Sequence, residues 1–482
     1  MKRLRSLMIM GLFAGSAQAA DLMQVYRDAL EFDAQYASVR AQSAADRERK
    51  AQGLAGLLPQ VGASAGSQYN DIRFTEPLSG SGRYNTNNWG VQLTQPIFRL
   101  QNWEQYKQGE LAAAIAELQS ASAQQDLMLR AANAYFDLLN SQETLASIVA
   151  QKEAAAQQLE LAKKSFEVGT TTITDVHEAQ SRYDLAVASE AAAQADVEVK
   201  HQTLRQLTGK DYGPLAPLRE GVKFDRPQPD NMQQWAQSAE QNNLSVQAAK
   251  LNYDITDRQV TASRAGHLPT VDFVANYGYN SIPTPNALQQ VIILENKYNT
   301  TQVGVQVQLP IFAGGYTQSK VRESLALKDK ARSDLDNAQR SAYLGAQQAY
   351  LGLTSGIAQV AGYEAALVSS RSAVESNKLG YQVGVRINID VLNAETQFYD
   401  TFRLLARARY DTLLAQLRLK NATGNLAEQD LQSVNALLDP ASAGKPIKLP
   451  DTTPAALENE TPAQQLTPQK KTPRRPPSDK SK

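Results

Sequence analysis

Cysteine is absent from this 482-residue chain, which removes disulfides, thiol catalysis and thiolate metal sites together. Histidine is nearly absent: His177, His201 and His267 are the only three, and none has the spacing of a metal ligand. The 49 basic and 49 acidic residues cancel, so no bulk field draws the chain to nucleic acid or anionic lipid. Beyond the first residues no run is long and apolar enough for a membrane helix, so any bilayer crossing falls to strands. No nucleophile, metal or cofactor motif supports an enzyme. Proline occurs 20 times, yet none lies between Ile97 and Gly213 or between Ile311 and Asp439. Both stretches are rich in Ala, Gln and Leu, as sustained helix requires.

What is present comes twice. Lys163-Lys164-Ser165-Phe166-Glu167-Val168-Gly169-Thr170-Thr171-Thr172-Ile173-Thr174-Asp175-Val176 returns as Lys378-Leu379-Gly380-Tyr381-Gln382-Val383-Gly384-Val385-Arg386-Ile387-Asn388-Ile389-Asp390-Val391. The same offset relates Ala134-Tyr135 to Ala349-Tyr350 and Leu204 to Leu419. It shifts slightly upstream, where Leu58-Pro59 matches Leu268-Pro269 and Pro96-Ile97-Phe98 matches Pro310-Ile311-Phe312. An internal duplication with length changes confined to loops predicts a two-fold repeated architecture. The chain then divides into an N-terminal signal (1–19), a first repeat (20–210), a link (211–230), a second repeat (231–424), a short segment (425–443) and a tail (444–482).

The signal rests on Lys2, Arg3 and Arg5, the apolar run Leu7 to Phe13, and the small-residue cleavage site Ala17-Gln18-Ala19. The tail is rich in Pro, Lys, Thr and Ser without apolar periodicity, which predicts disorder. Within a repeat, Asp21 to about Leu57 reads as helix ended by Leu58-Pro59. Val61 to Phe74 and Trp89 to Thr94 read as strands, separated by a loop from Thr75 to Gly82. In the second copy Val271, Phe273, Ala275, Tyr277 and Tyr279 share one face, opposite Asp272, Asn276 and Asn280. After a loop from Ser281 to about Thr301, Val303, Val305, Val307 and Leu309 alternate with Gly304, Gln306 and Gln308. One apolar and one amide-rich face fits a barrel strand between lipid and water, and equally a half-buried sheet in a soluble domain.

Helix length separates these. Leu100 to Val168 as one helix reaches about 100 Å. Leu138, Leu145, Leu159 and Phe166 fall on a seven-residue seam that Lys152 interrupts. Gly169 and Gly384 are the natural reversal points into returning helices, with Thr174-Asp175 and Asn388 to Asp390 offering caps. Two repeats supply four strands, too few to close a membrane barrel, and eight would fill their own lumen. A water-filled duct therefore needs at least three chains and twelve strands. Phe98 and Phe312 suit either an aromatic belt at the membrane boundary or ordinary core packing, and Gly314-Gly315 eases the strand-to-helix transition.

At this level the chain resembles the TolC-type outer-membrane efflux and secretion channels. The resemblance runs from Ala20-Asp21-Leu22-Met23-Gln24-Val25-Tyr26 to Glu428-Gln429-Asp430-Leu431. Its most specific pieces are Gly266-His267-Leu268-Pro269-Thr270, Gln92-Leu93-Thr94-Gln95, Leu309-Pro310-Ile311-Phe312, the two Val-Gly…Asp-Val segments, and Ala408-Arg409-Tyr410-Asp411. It implies an α+β membrane protein without cofactor or enzymatic activity. Its homotrimer would form a twelve-stranded barrel in outer-membrane lipid, continued by an α-helical coiled-coil barrel across the periplasm with a mixed equatorial domain. Residues 211–230 and 425–443 would belong to that equator. The implied function is a passive export duct of a Gram-negative bacterium, for small molecules or proteins. It would work with a periplasmic adaptor (membrane fusion protein) and an inner-membrane pump or ABC transporter. A periplasmic helical adaptor or scaffold is the alternative, disfavoured by four paired strand runs.

The resemblance also implies a gate. Its inner constriction ring maps to Asp390, and the family's second acid is replaced here by Asn393, which predicts weaker cation selectivity. Its closed-state links map to Tyr381 and Arg386, facing Thr174, Asp175 and Gln158 on the neighbouring helix pair. Lys378 stands where the family places a further acid. The residues alone fit a plainer role as well, with Asp175 and Asp390 as helix caps.

Overall fold

The computed structural model describes residues 20–75, 80–282 and 296–447. The expected signal, most of the two strand-connecting loops and the tail from residue 448 lie outside these residues.

The helix expected from Asp21 to Leu57 is two helices, α1 (Leu22–Phe32) and α2 (Ala34–Ala55). Asp33 separates them in an extended conformation, and its carboxylate caps α2 by accepting from the Tyr36 N–H at 2.8 Å. Propensity alone cannot see this break, because Arg130 from a distant helix fixes Asp33 with two bonds of 3.1 and 2.8 Å. Next come β1 (Gln60–Phe74), β2 (Gly80–Phe98), α3 (Leu100–Glu167) and α4 (Ile173–Thr208). The order then recurs as α5 (Met232–Asn242), α6 (Leu244–Arg264), β3 (Thr270–Ile282), β4 (Asn296–Gln308), α7 (Tyr316–Gln382) and α8 (Asn388–Ala422), before a short α9 (Glu428–Asn435). Asn243 stands between α5 and α6 as Asp33 does between α1 and α2, again capping the second helix.

Two strands exceed the sequence expectation. β2 begins at Gly80 and β4 at Asn296, inside the expected loops. Residues 83–88 are polar on both faces and show no alternation. They pair through cross-strand contacts instead, Arg83 with Asp71 at 3.1 Å and Asn70 with Thr86 at 3.2 Å.

All four strands form one antiparallel sheet in the order β1-β2-β3-β4. The register sets Val61, Leu93, Ala275 and Val303 in one row across the sheet, and Gly62, Gln92, Asn276 and Gln302 in the next. Adjacent rows point to opposite faces, so one face is apolar and the other amide-rich. The apolar face is uncovered, with Val303, Val305 and Val307 each more than 60% exposed. Phe98 and Phe312 are exposed as well, so neither is a core aromatic within this chain. Gly314 and Gly315 both take positive φ where β4 passes into α7, as the strand-to-helix transition requires.

The main core lies at mid-length of the long helices. Leu127, Tyr135, Phe136 and Leu138 of α3 pack there with Leu22 and Tyr26 of α1 and Leu413 and Leu417 of α8. Tyr135 donates to the Ala216 carbonyl at 2.7 Å. Residues 217 and 439 join by an Asp439 N–H to Pro217 carbonyl bond of 2.8 Å, so the link and the C-terminal segment meet at this level. The helical seam continues toward the tip through buried Leu159. Lys152 interrupts it without exposing an unpaired charge, because its ammonium reaches Glu190 of α4 at 2.6 Å. Among the described residues no helix is long and apolar enough to cross a membrane.

Candidate gate at the helix-reversal tips

Both long helices end alike. After α3 the Gly169 N–H bonds to the Phe166 carbonyl and the Thr170 N–H to the Ser165 carbonyl, each at 2.9 Å. After α7 the Gly384 N–H reaches the Tyr381 carbonyl at 3.1 Å and the Val385 N–H the Gly380 carbonyl at 2.8 Å. Gly169 and Gly384 hold φ of 75° and 77°, the left-handed conformation that turns the chain back.

The returning helices begin differently. Thr172 caps α4 in a reciprocal box: its hydroxyl accepts the Asp175 N–H at 3.4 Å, and the Asp175 carboxylate accepts the Thr172 N–H at 3.1 Å. Thr171 also donates to that carboxylate, and this hydroxyl bond holds Asp175 below the usual carboxylate range against the opposing effect of burial. The caps expected at Thr174-Asp175 and Asn388 to Asp390 therefore lie slightly upstream, at Thr172 and Ile387. Ile387 offers no side-chain acceptor. Asp390 occupies the third helical position of α8, and its carboxylate turns to Arg386 at 3.6 Å. That pair is largely exposed and is worth about 0–1 kcal/mol.

The two hairpins meet where α4 passes α8. Leu159, Ala162, Ala179 and Leu392 form a small buried cluster, closed by Val176, Tyr183 and Ile389. Beside it the Asn388 amide donates to the Asp175 carbonyl at 3.5 Å. Gln158 and Asn388 are both buried, and the Gln158 Oε1 and Asn388 Oδ1 have no hydrogen-bond partner among the described residues. Tyr381 is half-buried on the last turn of α7, and Thr174 is exposed on the first turn of α4. Asp175 and Asn388 thus meet at the tip, with Gln158 and Asp390 on the helices that join there, while Arg386, in the turn between α7 and α8, pairs with Asp390 of its own hairpin and not with Asp175.

Two residues escaped the sequence reading. Glu395 lies on the buried face of α8 and pairs with Lys378 of α7 at 2.9 Å. Its position among Val391, Leu392, Phe398 and Tyr399 at helical spacing was the available signal. Arg182 of α4 donates to the Asn393 amide oxygen at 2.9 Å. No pattern in the sequence pointed to it, since apolar and polar residues are mixed around α4 without a distinct apolar face.

A sheet with one lipid-suited face, joined to helical hairpins about 100 Å long, defines an outer-membrane channel of the export type. Residues 25–210 and 235–425 match the model of the outer membrane efflux protein family, and the chain belongs to that family. It is 33% identical over 439 residues to the outer membrane protein TolC of Vibrio cholerae, covering 90% of this chain and 98% of the relative. It is 29% identical over 441 residues to the proteases secretion protein PrtF of Dickeya chrysanthemi, covering 89% and 93% of the two chains. The solved structure of the CusC channel shares the fold with a TM-score of 0.72 at 14% identity, over 84% of this chain and 92% of that one. The protein is an outer-membrane export channel of the efflux and type I secretion kind, and not an enzyme.

Proposed function

We propose that three copies of the chain close a twelve-stranded barrel in the outer membrane and continue it as a helical tube across the periplasm. One observation carries this reading. The four-stranded sheet is open: among the described residues β1 and β4 each have a single neighbour, and the apolar face is uncovered. An open edge and a bare apolar face are both unfavourable unless other strands and lipid cover them. Four strands per chain make three copies the smallest closed set that leaves an aqueous lumen. In this assembly residues 20–210 and 231–424 are the duplicated halves. Residues 211–230 and 425–443 form an equatorial belt, and residues 1–19 are a cleaved export signal.

The duct is passive. It takes small molecules or proteins from a periplasmic adaptor and an inner-membrane pump or ABC transporter, and it opens when the hairpin tips part. Asp390 lines the constriction with Asn393 behind it. Tyr381 and Arg386 of one hairpin bond to Gln158, Thr174 and Asp175 of the neighbouring hairpin in the closed state. Native mass spectrometry of the unheated, detergent-solubilised protein tests the assembly. Three chains per particle are expected, and a monodisperse monomer in every detergent overturns the reading.

A further inference from the structure

We propose that Arg182 is a selectivity-determining residue of this channel, setting a positive charge beside the Asp390 constriction and tying the first hairpin to the second. The inference rests on the reading that Asp390 lines the narrowest part of the pore.

The Arg182 Nη2 donates to the Asn393 Oδ1 at 2.9 Å, from α4 to α8. The amide is neutral, so it orients the guanidinium and leaves its charge intact. Of the carboxylates on the facing elements, Glu395 is engaged by Lys378 at 2.9 Å and Asp175 by Thr171 and Thr172, while Asp390 meets Arg386 loosely at 3.6 Å. Arg182 and the buried Glu395 line one cleft of about 80 Å³ together with Leu392 and Thr396. Lys378, Glu395, Asn393 and Arg182 therefore form a polar brace from α7 through α8 to α4.

Asp390 and Asn393 are three residues apart on α8, so they share a face. The guanidinium held on Asn393 consequently sits one turn from the carboxylate that would attract cations. In a trimer, three such cations stand behind three carboxylates, and the constriction has mixed sign. Asn393 on its own explains only a missing negative charge. Arg182 adds a repulsive one, which opposes multivalent cations most.

Planar-bilayer recordings under a KCl gradient, with a trivalent ammine cation as blocker, test this. Arg182→Gln is expected to shift the reversal potential toward cation preference, and Arg182→Lys to keep it at the wild-type value. Asn393→Asp alone is expected to change block little, because Arg182 pairs with the new carboxylate. Combined with Arg182→Gln it should strengthen block about tenfold, the order expected of three partly screened charges acting on one trivalent ion. The inference is overturned if Arg182→Gln leaves selectivity unchanged, if Arg182→Lys behaves like Arg182→Gln, or if Asn393→Asp acts equally in both backgrounds. Asp390→Ala separates the two levels. Relief of block by Asp390→Ala with no response to Arg182→Gln sinks the role of Arg182 alone. No effect of Asp390→Ala removes the constriction reading, and the inference with it.

Discussion

Arg99 grips both oxygens of Asp272, Nε to Oδ1 at 2.7 Å and Nη2 to Oδ2 at 2.5 Å. Arg99 lies between the end of β2 and the start of α3, and Asp272 opens β3 in the other half of the chain. The pair therefore locks the strand-to-helix corner of one half onto the sheet of the other. It stands beside the register shift between Pro96 and Phe98, where the ladder itself is irregular. Two parallel bonds to one carboxylate require a guanidinium, which a lysine cannot replace. Arg99→Ala leaves a nearly buried carboxylate without its donor and is expected to cost about 1–3 kcal/mol. The denaturation midpoint of the folded protein in guanidinium should fall, with Arg99→Lys recovering only part. A midpoint equal to wild type for Arg99→Ala shows that the corner is held by the sheet alone.

Such corners explain where the sequence was legible and where it was not. β3 and β4 announce themselves because Val271, Phe273, Ala275, Tyr277 and Tyr279, and Val303, Val305, Val307 and Leu309, recur at every second position, with Asp272, Asn276, Gln306 and Gln308 between them. The first half of β2 does not, since residues 83–88 show no alternation and only pairing with β1, joined at Asn87 and Asn88 by β3, makes them strand. The long helices and their turns followed from missing proline and from Gly169 and Gly384. The break at Asp33 did not, because Arg130 imposes it from about a hundred residues away. At the tip, the duplicated motif located Asp175 and Asp390. The partners of Lys378 and Asn393 depend on how α4, α7 and α8 are rotated against one another, and one sequence does not carry that rotation.

The Tyr381 and Arg386 assignments lead to a conductance measurement. Tyr381 is half-buried at the end of α7, and Arg386 holds Asp390 only loosely at 3.6 Å, so both can serve bonds to a neighbouring chain. Tyr381→Phe combined with Arg386→Ser is expected to raise single-channel conductance several-fold, since in the proposed trimer each bond would recur three times around the pore. Each single variant should give a smaller rise. Conductance indistinguishable from wild type in the double variant places the closed-state links elsewhere.

Asp175 makes the tip sensitive to acid. Its carboxyl is held low chiefly by the Thr171 hydroxyl, with the Thr172 N–H and hydroxyl assisting. A carboxyl depressed in the folded state stabilises it above the unfolded value of 3.8, and that stabilisation is lost as pH falls through the lower folded value. The start of α4 should therefore fray on acidification while the start of α8, whose cap lacks a side-chain bond, changes less. Amide exchange, corrected for its intrinsic pH dependence, should show protection at 175–178 falling below the ordinary carboxylate range. Asp175→Asn should abolish that pH dependence. Protection unchanged by acid in the wild type means that the capping box contributes nothing to tip rigidity.

The mid-length core holds a carboxyl with the opposite behaviour. The Tyr410 hydroxyl donates to Glu143, and its ring stacks on Phe136 with centroids 5.5 Å apart. Desolvation lifts the Glu143 carboxyl above its ordinary range, opposed by the Tyr410 bond and by the Arg409 charge. A carboxyl raised by folding favours the folded state fully below its unfolded value, and that contribution is lost as pH rises through the folded one. Tyr410→Phe keeps the stacked ring and removes only the donor, so Glu143 is pushed higher still. The variant should lose about 1–3 kcal/mol at neutral pH, where the carboxylate would be left buried without its hydroxyl. The loss should shrink on acidification, once Glu143 is protonated in both forms. In a Glu143→Gln background the same substitution should cost less and show no pH dependence, so the two changes are not additive. Guanidinium midpoints measured for the four proteins at neutral and mildly acidic pH decide this. An equal penalty for Tyr410→Phe at both pH values separates the hydroxyl's role from the ionisation of Glu143.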